Sequence, residues 1–155
     1  MPAPRASAGL LVYRGADKGL EVFIGHMGGP FWSRKNQGAW SIPKGEIEPG
    51  EIDLLQVARR EFAEEIGVAA PDGPALNLGE FVQRSGKRVH CFAVAAREPI
   101  TFVASNMFSL EWPPHSGRFG RFPEIDRADW FPLADARRLV VAGQVAVLDA
   151  LAAAV

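Results

Sequence analysis

The chain has 155 residues, of which 48% are hydrophobic, 10% aromatic and 23% charged: one soluble globular domain, with no room for a second independent core. With 17 Lys and Arg against 18 Asp and Glu, the formal charge is -1 at pH 7, which excludes a generally basic nucleic-acid binder and an acidic tail protein. A single cysteine, Cys91, excludes an internal disulfide and a Cys-rich zinc site. Met1 to Ser7 lacks the apolar stretch of a secretory signal, and the apolar run Leu139 to Val155 is broken by Gln144 and Asp149 and is short for a bilayer span. A cytoplasmic protein without a membrane segment is expected.

In chain order, Gly9 to Tyr13 and Glu21 to Ile24 read as strands, and the turn residues Arg14 to Gly19 between them predict a hairpin. Gly28 to Gly38 reads as an irregular loop with aromatic and basic side chains, Phe31, Trp32, Arg34 and Lys35, for which packing and substrate contact are both open roles. Trp40 to Pro43 is a short extended piece. The strongest helix runs from about Asp53 to Ile66, with Leu55, Ala58, Phe62 and Ile66 in one apolar stripe, Asp53 as cap and Gly67 as stop. Leu78 to Gln83 and Arg88 to Ala95 predict a second hairpin across Ser85 and Gly86, and Phe108 to Trp112 a strand ended by two prolines. Ala128 to Phe131 is a last strand, Pro132 opens a helix to about Val140, and Gln144 to Ala153 reads as an amphipathic helix with Val145, Leu148 and Ala152 on its apolar face. Hairpin-linked strands mixed with a few helices argue an α+β fold around a mixed sheet rather than a doubly wound one.

Chemistry concentrates on the central helix. Glu61, Glu64 and Glu65 are spaced i, i+3, i+4 and project from one face within about one turn. A solvated acidic face is one reading; a divalent-cation site is the other, since clustered carboxylates are hard ligands that leave coordination positions for substrate phosphates. The preceding loop, Pro43 to Glu51, delivers Lys44 and several carboxylates between glycines, which let backbone approach a ligand while the lysine meets phosphate as a point charge. Together, loop and helix supply what hydrolysis of a pyrophosphate needs: cations for the oxygens and an activated water.

Gly45 to Val68 resembles the signature of the Nudix hydrolases. Its closing part stands as Arg60-Glu61-Phe62-Ala63-Glu64-Glu65-Ile66-Gly67-Val68, matching every specified position, and Gly45 and Glu51 match the opening. The family spacer between that glutamate and the arginine is seven residues; here Ile52 to Arg59 makes eight. The resemblance implies a single domain over 1–155 with a box at 45–68, folded as an α/β/α sandwich around a mixed sheet. It further implies hydrolysis of a nucleoside diphosphate linked to another moiety, with Mg²⁺ or Mn²⁺ as cofactor. Carried over by position, Glu61, Glu64 and Glu65 are metal ligands and catalytic residues, Lys44 and Gly45 face the substrate, and Arg60 and Glu51 are structural, joining loop and helix. Glu111 is the leading downstream candidate for proton acceptor, with a structural role as its competitor.

The wording Pro43-Lys44-Gly45 to Glu51 is similar to that of diadenosine polyphosphate hydrolases, so a dinucleoside polyphosphate is the expected substrate. Phe31, Trp32, Trp112 and Phe119 are candidates to stack on a base, and Arg34, Lys35, Arg84, Lys87 and Arg88 to meet a phosphate chain; each is equally readable as packing or surface. The rivals are a housecleaning nucleoside triphosphate pyrophosphatase, a Nudix-fold sensor that binds nucleotide without cleaving it, and a decapping role, the last disfavoured by the near-zero charge. Members of the family are often dimers, and the apolar C-terminal helix is the expected contact. His26, His90 and His115 form no metal motif, and no nucleophile elbow or P-loop is present. Cys91 reads as a core residue, with His90 on the opposite face of its strand.

Overall fold

The computed structural model describes residues 6–16 and 19–155; Met1 to Arg5, together with Asp17 and Lys18 of the first predicted turn, lie outside the described residues. The first hairpin is longer than the sequence pattern indicates: β1 (Ala6–Ala16) pairs antiparallel with β2 (Gly19–Met27). Two short strands follow, β3 (Trp40–Ser41) and β4 (Lys44–Glu46), then α1 (Leu54–Ile66). Asp53 caps α1, its carboxylate accepting from the backbone N–H of Leu55 and Gln56, and Gly67 ends it at φ 87°, a left-handed cap that glycine adopts without strain. The second hairpin is β5 (Ala75–Val82) and β6 (Arg88–Ala95). Then come β7 (Met107–Glu111), β8 (Phe119–Pro123), β9 (Ile125–Pro132), α2 (Leu133–Leu139), a 3₁₀ turn at Ala142–Gln144 and α3 (Val145–Ala154).

The main sheet runs β3-β2-β1-β6-β5, with β4 paired to β1 and β9 to β2. It is mixed, because β1 and β6 are parallel, Ala6 opposite Arg88 and Tyr13 opposite Ala95. Alternation along β1 sends Ala8, Leu10 and Val12 to one face, where Ala58, Phe62 and Ile66 of α1 cover them, and Leu11 to the other, against Ala136, Leu139, Leu148 and Leu151 of α2 and α3. The result is an α/β/α sandwich with a separate core on each side of the sheet.

Two readings are corrected. α3 buries Val147, Leu148 and Leu151, whereas Val145 is half-buried and Ala152 exposed. A tail this rich in alanine gives no contrast to fix the helix phase; the two Leu and Val147 decide it by filling the core. The sequence carries no strand signal for β4 and β8, since β4 spans only Lys44–Glu46 and a glycine interrupts β8.

β7 and β8 stand apart from the main sheet, as a two-stranded ribbon. Its root is tied to the last turn of α1: Val103 and Ala104 donate backbone N–H to the Ile66 carbonyl, and Asn106 to that of Glu64, at 2.9, 3.2 and 3.1 Å. Carbonyls that a helix end leaves without partners thus seat the ribbon beside the acidic face.

Candidate active site

Arg60 organises the acidic face. Its guanidinium holds both oxygens of Glu51 at 2.7 and 3.0 Å, donates to Glu61 at 2.8 Å and to Glu64 at 3.1 and 3.2 Å, and reaches the Glu46 carbonyl at 3.4 Å. The fork geometry suits a bidentate carboxylate, and the added anions raise the arginine's pKa further. Arg60 also holds the Glu51 carboxyl below its ordinary pKa, helped by the backbone N–H of Glu48. The Glu51–Arg60 pair forms despite the long spacer, because Glu51 to Asp53 remain non-helical and Ile52 projects into solvent at 93% exposure.

Gly45 packs so closely over Glu61 that a Cβ there would collide with the carboxylate, so only glycine lets β4 and α1 approach. Beside it, the Lys44 backbone N–H donates to Glu65 at 3.4 Å. Burial pushes the Glu65 carboxyl up to about 8, with Lys44 opposing that rise. Partial burial also raises Glu61, reinforced by Glu64 and opposed by Arg60. The Lys44 Cβ packs over Gly9, and the lysine's charge is felt by Glu65, Glu124 and Cys91.

Glu124, between β8 and β9, was not singled out from sequence. Its carboxyl is raised by desolvation and held back by Lys44, and it in turn raises Glu65, so it belongs to the same cluster. Pro-Glu-Ile-Asp carries no spacing signal, and only the tertiary fold brings it to α1. Glu111 lies elsewhere: on the ribbon it has the opposite strand parity, and its carboxylate accepts from the N–H of His115 and Gly117, closing the β7–β8 turn.

The aromatic candidates separate. Trp32 is half-buried and packs at the edge of the α2/α3 core, while Phe31 is 52% exposed with the Lys35 ammonium 3.5 Å from its ring centre. Trp112 and Phe119 sit at the far end of the ribbon, Trp112 six residues beyond Asn106, about 20 Å of extended chain. Arg34, Arg84 and Lys87 are exposed, and Arg88 pairs with Glu80 at 3.3 Å. Cys91 is buried in the core, and His90 faces the other way, stacked on Phe92 and bonded to Asn77 at 2.7 Å. His26, fully buried, holds the aromatic loop in place: one ring nitrogen meets the Asp126 carboxylate at 2.8 Å and the other the Lys35 carbonyl at 2.7 Å.

A divalent cation fits the donor set by chemistry: hard carboxylate oxygens on one helix face under a glycine-bearing strand. Among the described residues, no three acidic, His or Cys side chains converge on one point, because Arg60 draws Glu61 and Glu64 to itself. A cleft of about 480 Å³ between Val68–Asp72 and Arg97–Thr101 contains none of these glutamates.

Comparison with known proteins agrees with this fold. A family model described as NUDIX domain matches residues 3–151. A 17.7 kDa protein of the e-segB intergenic region of Enterobacteria phage T4 is 34% identical over 87 residues, so the match spans 56% of the chain and 56% of that protein. Among solved structures, the NUDIX domain of Shewanella oneidensis NrtR, complexed with ADP ribose, superposes with a TM-score of 0.66 at 16% identity, covering 99% of this chain and 90% of that one. A C. elegans Ap4A hydrolase in a binary complex gives 0.59 at 20% identity, with 96% of each chain covered.

Proposed function

The chain belongs to the NUDIX domain family, and from that premise we propose that it is a hydrolase of phosphoric anhydride bonds that cleaves a nucleoside diphosphate linked to another moiety, a dinucleoside polyphosphate above all, with a divalent cation. The observation that carries this reading is the intact set Glu61, Glu64 and Glu65 on one face of α1, set against Lys44 and Gly45 of β4. A Nudix-fold sensor has no need of all three. Glu61, Glu64 and Glu65 would hold Mg²⁺ or Mn²⁺, which when bound neutralises phosphate charge and lowers the pKa of an attacking water.

The chain's own residues do the rest. Lys44 would present a positive charge to a phosphate oxygen, and Gly45 admits the Glu61 carboxylate against β4, bringing lysine and glutamates together. Arg60 and Glu51 pin the loop to the helix, fixing the glutamates before substrate arrives. Glu65 in its ionised form, or Glu124 beside it, would take the proton from water. Glu124 therefore replaces Glu111 as the downstream candidate.

The test is a phosphate-release screen over dinucleoside polyphosphates, nucleoside triphosphates and nucleotide sugars, with and without Mg²⁺ or Mn²⁺, beside Glu64→Gln. Metal-dependent cleavage of dinucleoside polyphosphates that falls at least 100-fold in the variant is the expected result. Preferential release of pyrophosphate from triphosphates would transfer the protein to the housecleaning class. Nucleotide binding without cleavage would leave it a sensor.

A further inference from the structure

Two half-buried phenylalanines belong to neither core. Phe108 of β7 and Phe122 of β8 are half-buried, lie directly opposite each other in the ribbon and hold their ring centres 6.1 Å apart at 48°. Large apolar side chains that fill neither core while remaining half-open are the pattern of a surface that receives something flat.

Their place along the ribbon says what. The antiparallel register continues one step past Met107 and Pro123, because the Glu124 N–H donates to the Asn106 carbonyl at 2.8 Å. Alternation in a ribbon puts Asn106 and Phe108 on one face, and Phe122 and Glu124 on that same face. That face looks at the acidic helix: the Asn106 side-chain amide donates to Glu64 at 3.4 Å, and Glu124 acts electrostatically on Glu65. The phenylalanine pair thus stands one step out from the glutamates, about 7 Å along the ribbon, a reach that the ribose between a phosphate and its base can cover.

Glycine makes room for both rings. Gly29, at φ +95°, lies under Phe108, and a Cβ there would come within 3.0 Å of the ring tip; Gly120 lies under Phe122 at the same 3.0 Å. Gly29 begins the aromatic loop that His26 anchors, so loop and ribbon meet at Phe108.

We propose that Phe108 and Phe122 form the platform for the planar base of the nucleotide substrate, in place of Trp32, Trp112 and Phe119. The assignment rests on the hydrolase reading above and names which residues select its organic half. Stacking is tolerant of base identity, so the platform favours nucleotides over base-free diphosphates without choosing among bases.

The experiment compares the wild type with Phe108→Leu, Phe122→Leu and Gly120→Ala. The leucines keep apolar volume and remove the ring plane; the alanine keeps both rings and shifts one. KM and kcat are measured for a dinucleoside polyphosphate, and binding of inorganic tripolyphosphate with Mg²⁺ serves as the base-free reference. A rise in KM of about 10-fold or more in the leucine variants, a smaller rise for Gly120→Ala, kcat within a few-fold and unchanged tripolyphosphate binding are expected. Wild-type cleavage with KM unmoved in both leucine variants, or equal losses for nucleotide and tripolyphosphate, overturns the platform and leaves the reaction standing. Absence of nucleotide cleavage in the wild type overturns the reaction and the platform with it.

Discussion

A buried carboxyl on Glu65 is a protein-stability statement as much as a chemical one. Its folded pKa, about 8, lies above the ordinary carboxyl value of 4.5, so between those limits the folded chain keeps a proton that the unfolded chain releases. The stabilising contribution is complete below the lower value and is lost as pH rises through the higher one; Glu61 and Glu124 shift with the same sign. Melting in chelator should therefore show Tm falling between pH 5 and pH 8, and Glu65→Gln should flatten that slope. Equal slopes in the two proteins would mean that Glu65 is solvated. Glu64, the more open of the set, is expected to behave differently: Glu64→Gln should lower turnover at least 100-fold while Tm stays within a few degrees. The spacing of these glutamates was legible because a helix converts i, i+3 and i+4 into a single face. Glu124 was not, because its partners lie far away along the sequence.

Among the elements, α1 was readable almost to its ends, since Asp53, Gly67 and the Ala58-Phe62-Ile66 stripe specify cap, stop and phase together. The ribbon was half readable: Phe108 to Trp112 has strand character, but Phe119-Gly120-Arg121 does not, and only pairing with β7 makes it extended. α1's hold on the sheet is apolar. Phe62 is fully buried and meets Phe23 at 6.3 Å, so Phe62→Ala should cost about 3–5 kcal/mol in chemical denaturation, loosening the helix that carries the glutamates. The aromatic loop depends instead on hydrogen bonds. Replacing His26 by Leu removes the links to Asp126 and the Lys35 carbonyl, and amide exchange across 28–38 should quicken while that of α1 stays slow. Uniformly faster exchange would make His26 a core residue rather than a loop anchor.

At the scale of the molecule, the sandwich followed from hairpins, one amphipathic helix and an apolar tail, but the strand order did not. Nothing in the sequence of β1 says that it pairs with β2, β4 and β6 rather than with β2 alone; full burial of Leu10, Leu11 and Val12 on alternating faces is the mark of a central strand, visible only afterwards. Among the described residues, no helix is long and apolar enough to cross a membrane.

The parallel pairing of β1 with β6 also sets a timetable for the chain. Ala6 meets Arg88, so the centre of the sheet joins segments separated by most of the first hundred residues, and the entropy of closing that loop must be met before the central contacts return it. The glutamate helix is made within that interval, and β6 must arrive before its apolar stripe finds a finished surface. Glu124 and both platform phenylalanines come later still. On a growing chain the glutamates of α1 thus appear well before Glu124 and the platform phenylalanines, and the full cluster assembles only after β8 and β9 have been made.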